Sequence, residues 1–179
     1  MNQVGSVYGE ALYSLCKDEN LSDTVLQELT VMQESFEDNP DFLRLLSSPN
    51  VPVQERCQIL DNCFRGQVQP YVLNFLKILT EKGVVKVFSD CVSQYRKLYN
   101  EDHNILPVTA VTAVPLTQEQ SARLAEKLSE LTGKTAQLVN RVDPACLGGV
   151  RLDYDGKRVD GSVANRMESI RKLLKNTVL

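Results

Sequence analysis

Apolar residues recur at helical spacing through residues 4–99. Val4, Val7, Tyr8, Ala11, Leu12 and Leu15 follow the spacing of one stripe along an amphipathic helix. A second stripe, Leu21, Val25, Leu29, Met32 and Phe36, runs up to "DNPD", where Pro40 forbids continuation. "DFLRLLSSPN" predicts a short helix stopped by Pro49. Pro52 suits the first turn of the next, which carries Val53, Cys57, Leu60 and Phe64 and breaks at Gly66. Val68, Tyr71, Val72, Phe75, Leu76 and Leu79 share one face, with Gly83 as the stop. Val84, Val87, Phe88, Cys91, Val92, Tyr95, Leu98 and Tyr99 share the next. These helical segments on short connections predict an all-α six-helix bundle over residues 1–104.

The periodicity changes after "NEDHN". "LPVTAVTAV" is rich in Val and Thr and reads as a strand. Thr117 and Gln120 form a T-x-x-Q capping box that opens a helix through Leu124, Leu128 and Leu131, with Gly133 at its C-cap. "TAQLVNRV" is a second strand. "GGVRLDY" and "KRVD" flank Asp155-Gly156, a dipeptide suited to a type I′ hairpin turn. Asp160 or Ser162 is placed to cap a last helix carrying Val163, Met167, Ile170 and Leu174. The order β-α-β-β-β-α predicts a small α/β domain over residues 105–179, giving a two-domain chain.

Composition changes this picture little. Hydrophobic residues at 42% and charged residues at 24% are ordinary for a globular protein. No apolar run approaches the ~18 residues that span a bilayer. "MNQVGSVYGEALYSL" lacks the basic and apolar regions of a secretory signal, so the expected address is the cytoplasm, or an organelle after processing. Five cysteines, odd in number and without a C-x-x-C pair, argue against a disulfide framework or structural zinc and for buried hydrophobes in a reducing compartment. Charge is uneven. Residues 1–104 hold 9 Lys/Arg against 15 Asp/Glu, and residues 105–179 hold 11 against 8, which suggests two domains facing different partners.

Catalytic chemistry finds little support. "GKT" at Gly133-Lys134-Thr135 resembles the end of a phosphate loop, but Leu128 stands where the other glycine is needed, and the segment follows a helix and opens a strand. "DYDGKRVDG" fails as a calcium loop because Lys157 and Arg158 would fall inside the cage. "GGVRL" precedes a strand and is no dinucleotide fingerprint. The glycines of this stretch read as a scaffold that lets backbones approach. His103 sits in a polar segment with no identified nucleophile beside it, which makes a small hydrolase the weakest reading. Arg166, Arg171, Lys172 and Lys175 on the last helix lack the strongly basic domain of a nucleic-acid reader. No catalytic residue, metal or cofactor is expected.

The chain resembles the delta subunit of bacterial F-type ATP synthase, counterpart of the mitochondrial oligomycin-sensitivity-conferring protein. "YGEALYSL" is similar to that family's Y-x-x-A-L opening, "LLSSPNVPVQER" to its L-x-S-P turn, and "NFLKILTEKG" and "YRKLYNED" to its later helices. "VPLTQEQSARLAEKLSELTGK" and "VDPACLGGVRLDYDGKRVDGSVANRMESI" resemble its P-L-T-x-x-Q and D-P-x-x-x-G-G segments. Val84 stands where many members carry an arginine.

The resemblance implies a non-catalytic stator of the peripheral stalk, bound to the cytoplasmic face of the bacterial membrane through its complex. The bundle would grip the N-terminal helix of an alpha subunit in a groove between its first and fifth helices. Tyr8, Ala11, Leu12, Leu15, Val72, Phe75, Leu76 and Leu79 are the candidates, and the same stripes must also build the core. The C-terminal domain would hold the C-terminal ends of the b subunits, with Gly148, Gly149 and Val150 as candidates beside a structural hairpin role. The rival reading is a free-standing helical adapter unconnected with ATP synthase.

Overall fold

The computed structural model describes residues 3–163 together with Asn165 and Met167. It contains two compact units, Met1–Tyr99 and Asn100–Leu179. The division falls inside a helix, a little before the expected boundary at residue 104.

The first unit is helical. Its elements are α1 (Gln3–Asp18), α2 (Ser22–Asp38), α3 (Pro40–Ser47), α4 (Val53–Phe64), α5 (Pro70–Glu81) and α6 (Phe88–Asp102), the last preceded by a 3-10 turn at Val85–Val87. Proline sets the boundaries where the sequence places it. Asn39 alone separates α2 from α3, and Pro40 and Pro70 occupy first turns, where a missing N–H costs no helical bond. α5 closes in a Schellman motif: Val84 N–H donates to the Leu79 carbonyl at 2.9 Å and Gly83 N–H to Thr80 at 3.1 Å. Gly83 adopts φ +69, which a Cβ disfavours.

The core runs through Val25, Leu29, Met32 and Phe36 of α2, as their spacing predicts, against Val72, Leu76 and Leu79 of α5 and Phe88, Val92 and Tyr95 of α6. Tyr13 and Tyr95 meet edge to face at 5.1 Å, and the Tyr95 hydroxyl donates to the Ser22 carbonyl at 3.1 Å. Arg56 of α4 is a buried cation. Its Nη1 donates to the Leu46 carbonyl at 2.8 Å and its Nε to Val51 at 3.1 Å, fastening the "SSPN" loop to α4.

Helix α1 departs from its predicted phase. Of the stripe Val4, Val7, Tyr8, Ala11, Leu12 and Leu15, only Leu12 is buried, and Val7 is 62% exposed. The buried line is instead Gly5, Gly9, Leu12, Tyr13 and Cys16. Glycine is the reason. A Cβ on Gly5 would stand 2.6 Å from the Asp90 Cβ, and one on Gly9 2.5 Å from the Cys91 carbonyl oxygen. α1 lies against α6 on its two glycines, and Val4, Val7, Ala11 and Leu15 turn outward.

The second unit carries β1 (Ile105–Thr112), α7 (Gln118–Thr132), β2 (Thr135–Val142), β3 (Val150–Tyr154) and β4 (Lys157–Asp160). Its four-stranded sheet has the order β2-β1-β3-β4, parallel between β1 and β2 and antiparallel elsewhere. α7 covers one face, where its Leu128 packs with Leu106 and Val108 of β1, and Leu124, Leu138 and Leu152 pack around them. Leu131, expected on the same stripe, is 82% exposed. The Thr117–Gln120 capping box and the left-handed Gly133 cap form as read. Asp155 and Gly156 take φ +47 and +70, the two positive angles that a type I′ turn requires. Ser162 Oγ accepts from Asn165 N–H at 3.2 Å, a helix-start contact, while Ile170 and Leu174 of the expected last helix lie outside the described residues.

A candidate partner-docking groove

Rotation of α1 leaves an open apolar groove between α1 and α5. Tyr8, Ala11, Leu12 and Leu15 form one wall; Tyr71, Asn74, Phe75 and Ile78 form the other, around about 470 Å³. No charged side chain lines it. α5 is apolar around more than half its circumference, and this is what the groove needs. Val72, Leu76 and Leu79 face the core while Tyr71 and Ile78 face out, with Phe75 at the base.

The eight residues expected to form the groove therefore divide. Tyr8, Ala11, Leu12, Leu15 and Phe75 are brought together in it. Val72, Leu76 and Leu79 are wholly buried on the other side of α5 and present nothing to a partner. Sequence reasoning missed Tyr71, Asn74 and Ile78. Tyr71 lay within the predicted stripe. Ile78 lies four residues after Asn74 and one turn along from it, a line that a polar residue had hidden.

Gly148, Gly149 and Val150 sit where the chain entering β3 crosses the chain leaving β4. Val163 N–H donates to the Gly148 carbonyl at 2.9 Å, and Gly161 N–H to Val150 at 3.0 Å. A Cβ on Gly149, whose φ is +77, would approach the Gly161 oxygen to 2.6 Å. The crossing is built of backbone, and its glycines make it possible. It holds Leu147 outward at φ +58.

The enzymatic alternatives meet no geometry. Lys134 follows a helix cap and opens β2, and His103 is exposed at the end of α6. Among the described residues, no group of three or more His, Cys, Asp or Glu is arranged to hold a metal ion, and no helix is long and apolar enough to cross a membrane. The thiols differ in environment. Burial pushes Cys91 up to about 11 and raises Cys16, whereas Cys63 is exposed.

Comparison with known proteins identifies the family. Residues 4–174 match the family described as ATP synthase delta (OSCP) subunit. ATP synthase subunit delta of Alkaliphilus oremlandii is 36% identical over 171 residues, covering 96% of this chain and 95% of that protein. The Lactobacillus gasseri protein of the same name is 32% identical over 173 residues, covering 96% and 94%. A chain of the Toxoplasma gondii mitochondrial ATP synthase hexamer superposes with a TM-score of 0.76 at 20% identity, covering 97% of this chain and 98% of its own, a likeness of fold. The free-standing adapter is not favoured. The chain belongs to the ATP synthase delta (OSCP) family, as a non-catalytic subunit of the peripheral stalk.

Proposed function

We propose that the α1/α5 groove receives the N-terminal helix of a catalytic-head alpha subunit. The C-terminal unit would hold the C-terminal ends of the b subunits, on the cytoplasmic face of a bacterial membrane. In this reading the first unit is the six-helix bundle of a stator that keeps the head from turning with the rotor, so that torque drives ATP synthesis. Gly148, Gly149 and Val150 contribute on the b side as the frame that presents Leu147.

One observation supports the reading above the others: an uncharged groove with apolar walls on two neighbouring helices, open to solvent. An amphipathic helix fits such a groove by laying in apolar residues one turn apart. Each fully buried Leu or Phe contributes ~1.5–3 kcal/mol, so a few anchors reach the ~8–12 kcal/mol of micromolar to nanomolar binding. Two attachment points on one chain raise the effective concentration of each.

The test is titration calorimetry of the whole chain with a peptide of the alpha N-terminal helix. Leu15→Arg and Ile78→Asp alter side chains that are each 44% exposed, so the fold should survive them. Both should weaken binding at least about tenfold, the loss of roughly one anchor, with thermal stability unchanged. A folded chain that does not bind the peptide refutes the groove assignment.

A further inference from the structure

A second opening, sharing no residue with the α1/α5 groove, lies where α2, α3 and α4 meet. Phe36, Phe42 and Phe64 form its floor, with ring centroids 5.7 to 6.3 Å apart, and Leu45 and Cys63 stand at its sides. The hollow is about 650 Å³, room for more than one large side chain. Phe36 is buried, whereas Phe42 and Phe64 are only half-buried and Leu45 is exposed, so the corner closes over part of its aromatic surface and leaves the rest open.

The charged side chains that line the mouth are acidic. Asp38 and Asp41 line it, and no basic side chain does. The last turns of α2 and α4 both end there, so the partial negative charge of two helix C-termini stands against the partial positive charge of the single N-terminus of α3. Arg44 pairs with Asp41 at 2.9 Å from the outer turn of α3, but both side chains are mostly in water. Such a pair is weak, and an incoming cation replaces it at little cost. Partly open phenylalanine faces also favour a cation. The unit as a whole carries excess acid, as its sequence shows.

We propose that this hollow docks a basic amphipathic protein segment, one that lays an apolar side chain against the open surfaces of Phe42 and Phe64 while flanking arginines or lysines meet Asp38 and Asp41. The proposal is independent of the alpha-subunit groove.

Cys63 makes it testable, because an exposed thiol stands in the wall of the hollow while Cys16, Cys91 and Cys146 are buried. The whole chain, with Cys57→Ser to silence the half-buried thiol, is labelled with uncharged N-ethylmaleimide and the rate at Cys63 is followed by peptide mass. The probe is a synthetic amphipathic helix whose Leu/Phe face is bordered by arginines; its counterpart carries glutamates instead. The basic peptide should slow labelling about tenfold and the acidic one hardly at all. Asp38→Asn with Asp41→Asn, both surface changes, should remove most of the protection, whereas Leu15→Arg in the other groove should leave it intact. Leu45→Asp provides a second, independent loss. Equal protection by both peptides, none by either, or protection that survives the Asn pair overturns the proposal. Slowing that grows with protein concentration in the absence of peptide would assign the face to a second copy of the chain, and overturns it too.

Discussion

Gly9→Ala isolates the physics that sets the orientation of α1. On propensity alone the substitution is stabilising by about 1 kcal/mol, since alanine suits a helix interior better than glycine. The contact with α6 reverses this. The new methyl would lie 2.5 Å from the Cys91 carbonyl oxygen, 3.0 Å from Gln94 Cβ and 3.2 Å from the Cys91 carbonyl carbon. Two of these three neighbours are main chain inside a helix and cannot swing away. α1 must withdraw by several tenths of an ångström, and a gap of 0.5–1 Å forfeits a quarter to a half of each dispersion contact across it. Overpacking of this kind costs ~1–3 kcal/mol.

The net expectation is a loss of up to ~2 kcal/mol, equivalent to as much as about 15 °C in the melting of a unit of this size. Urea unfolding, with amide exchange along α1 and α6 to identify the unit, measures it. Ser14→Ala, on the exposed side of α1, is the control and should move stability by less than ~0.5 kcal/mol. A Gly9→Ala chain more stable than the parent by the full propensity gain of about 1 kcal/mol would refute the close packing and with it the outward turn of the apolar stripe.

Arg56→Ala should cost at least ~1–3 kcal/mol in chemical denaturation, because the Leu46 carbonyl that it serves is left in a buried site without its donor. Thr117→Ala removes the hydroxyl that accepts from Gln120 N–H and should destabilise α7 by ~1 kcal/mol, visible as faster exchange of its first-turn amides. Alkali should unfold the first unit through its buried acids. Cys91 is raised from 9.0 to about 11 by burial, so the folded chain keeps its proton while the unfolded chain loses it. Its stabilising contribution is whole below pH 9 and is lost as pH rises from 9 to about 11, reaching roughly 2–3 kcal/mol. Cys91→Ala should flatten that part of the stability–pH curve, whatever it does to absolute stability.

Much of this architecture can be read from local chemistry. The α2 stripe, the capping box of α7, the Asp155-Gly156 turn and the residues of β2 and β4 all form where the sequence places them, because each depends on neighbours a few positions away. Sequence pattern is silent where a residue acts against its type. Arg56, of a residue type that is mostly exposed, is buried here, since the carbonyls of Leu46 and Val51 satisfy it. Asn140 reads as an ordinary strand residue, yet its Nδ2 donates to the Ala110 carbonyl and to Thr112 Oγ1, each at 2.9 Å, while its Oδ1 accepts from Leu116 N–H. These partners lie far along the chain, and no spacing rule points to them.

The groove shows why a hydrophobic stripe fixes the buried side of a helix less surely than it marks the helix itself. Periodicity finds the apolar side of α1 but assigns it to the core, because burial is assumed to follow side-chain size. Gly5 and Gly9 reverse that assumption: lacking Cβ atoms, they allow the closest approach to α6, and the closest approach fixes which side is inside. Once the glycines face α6, Tyr8, Ala11 and Leu15 must face elsewhere, and Tyr71, Phe75 and Ile78 of α5 meet them there. The i, i+4 pair of glycines in "GSVYG" was thus the signal that separates the core side of this helix from the side that lines the open groove. It carries a coupling that a partner-binding assay can expose: any side chain added at Gly9 displaces one wall of the groove, so on the proposed docking of a partner helix Gly9→Ala should weaken binding there although Gly9 itself lies outside it.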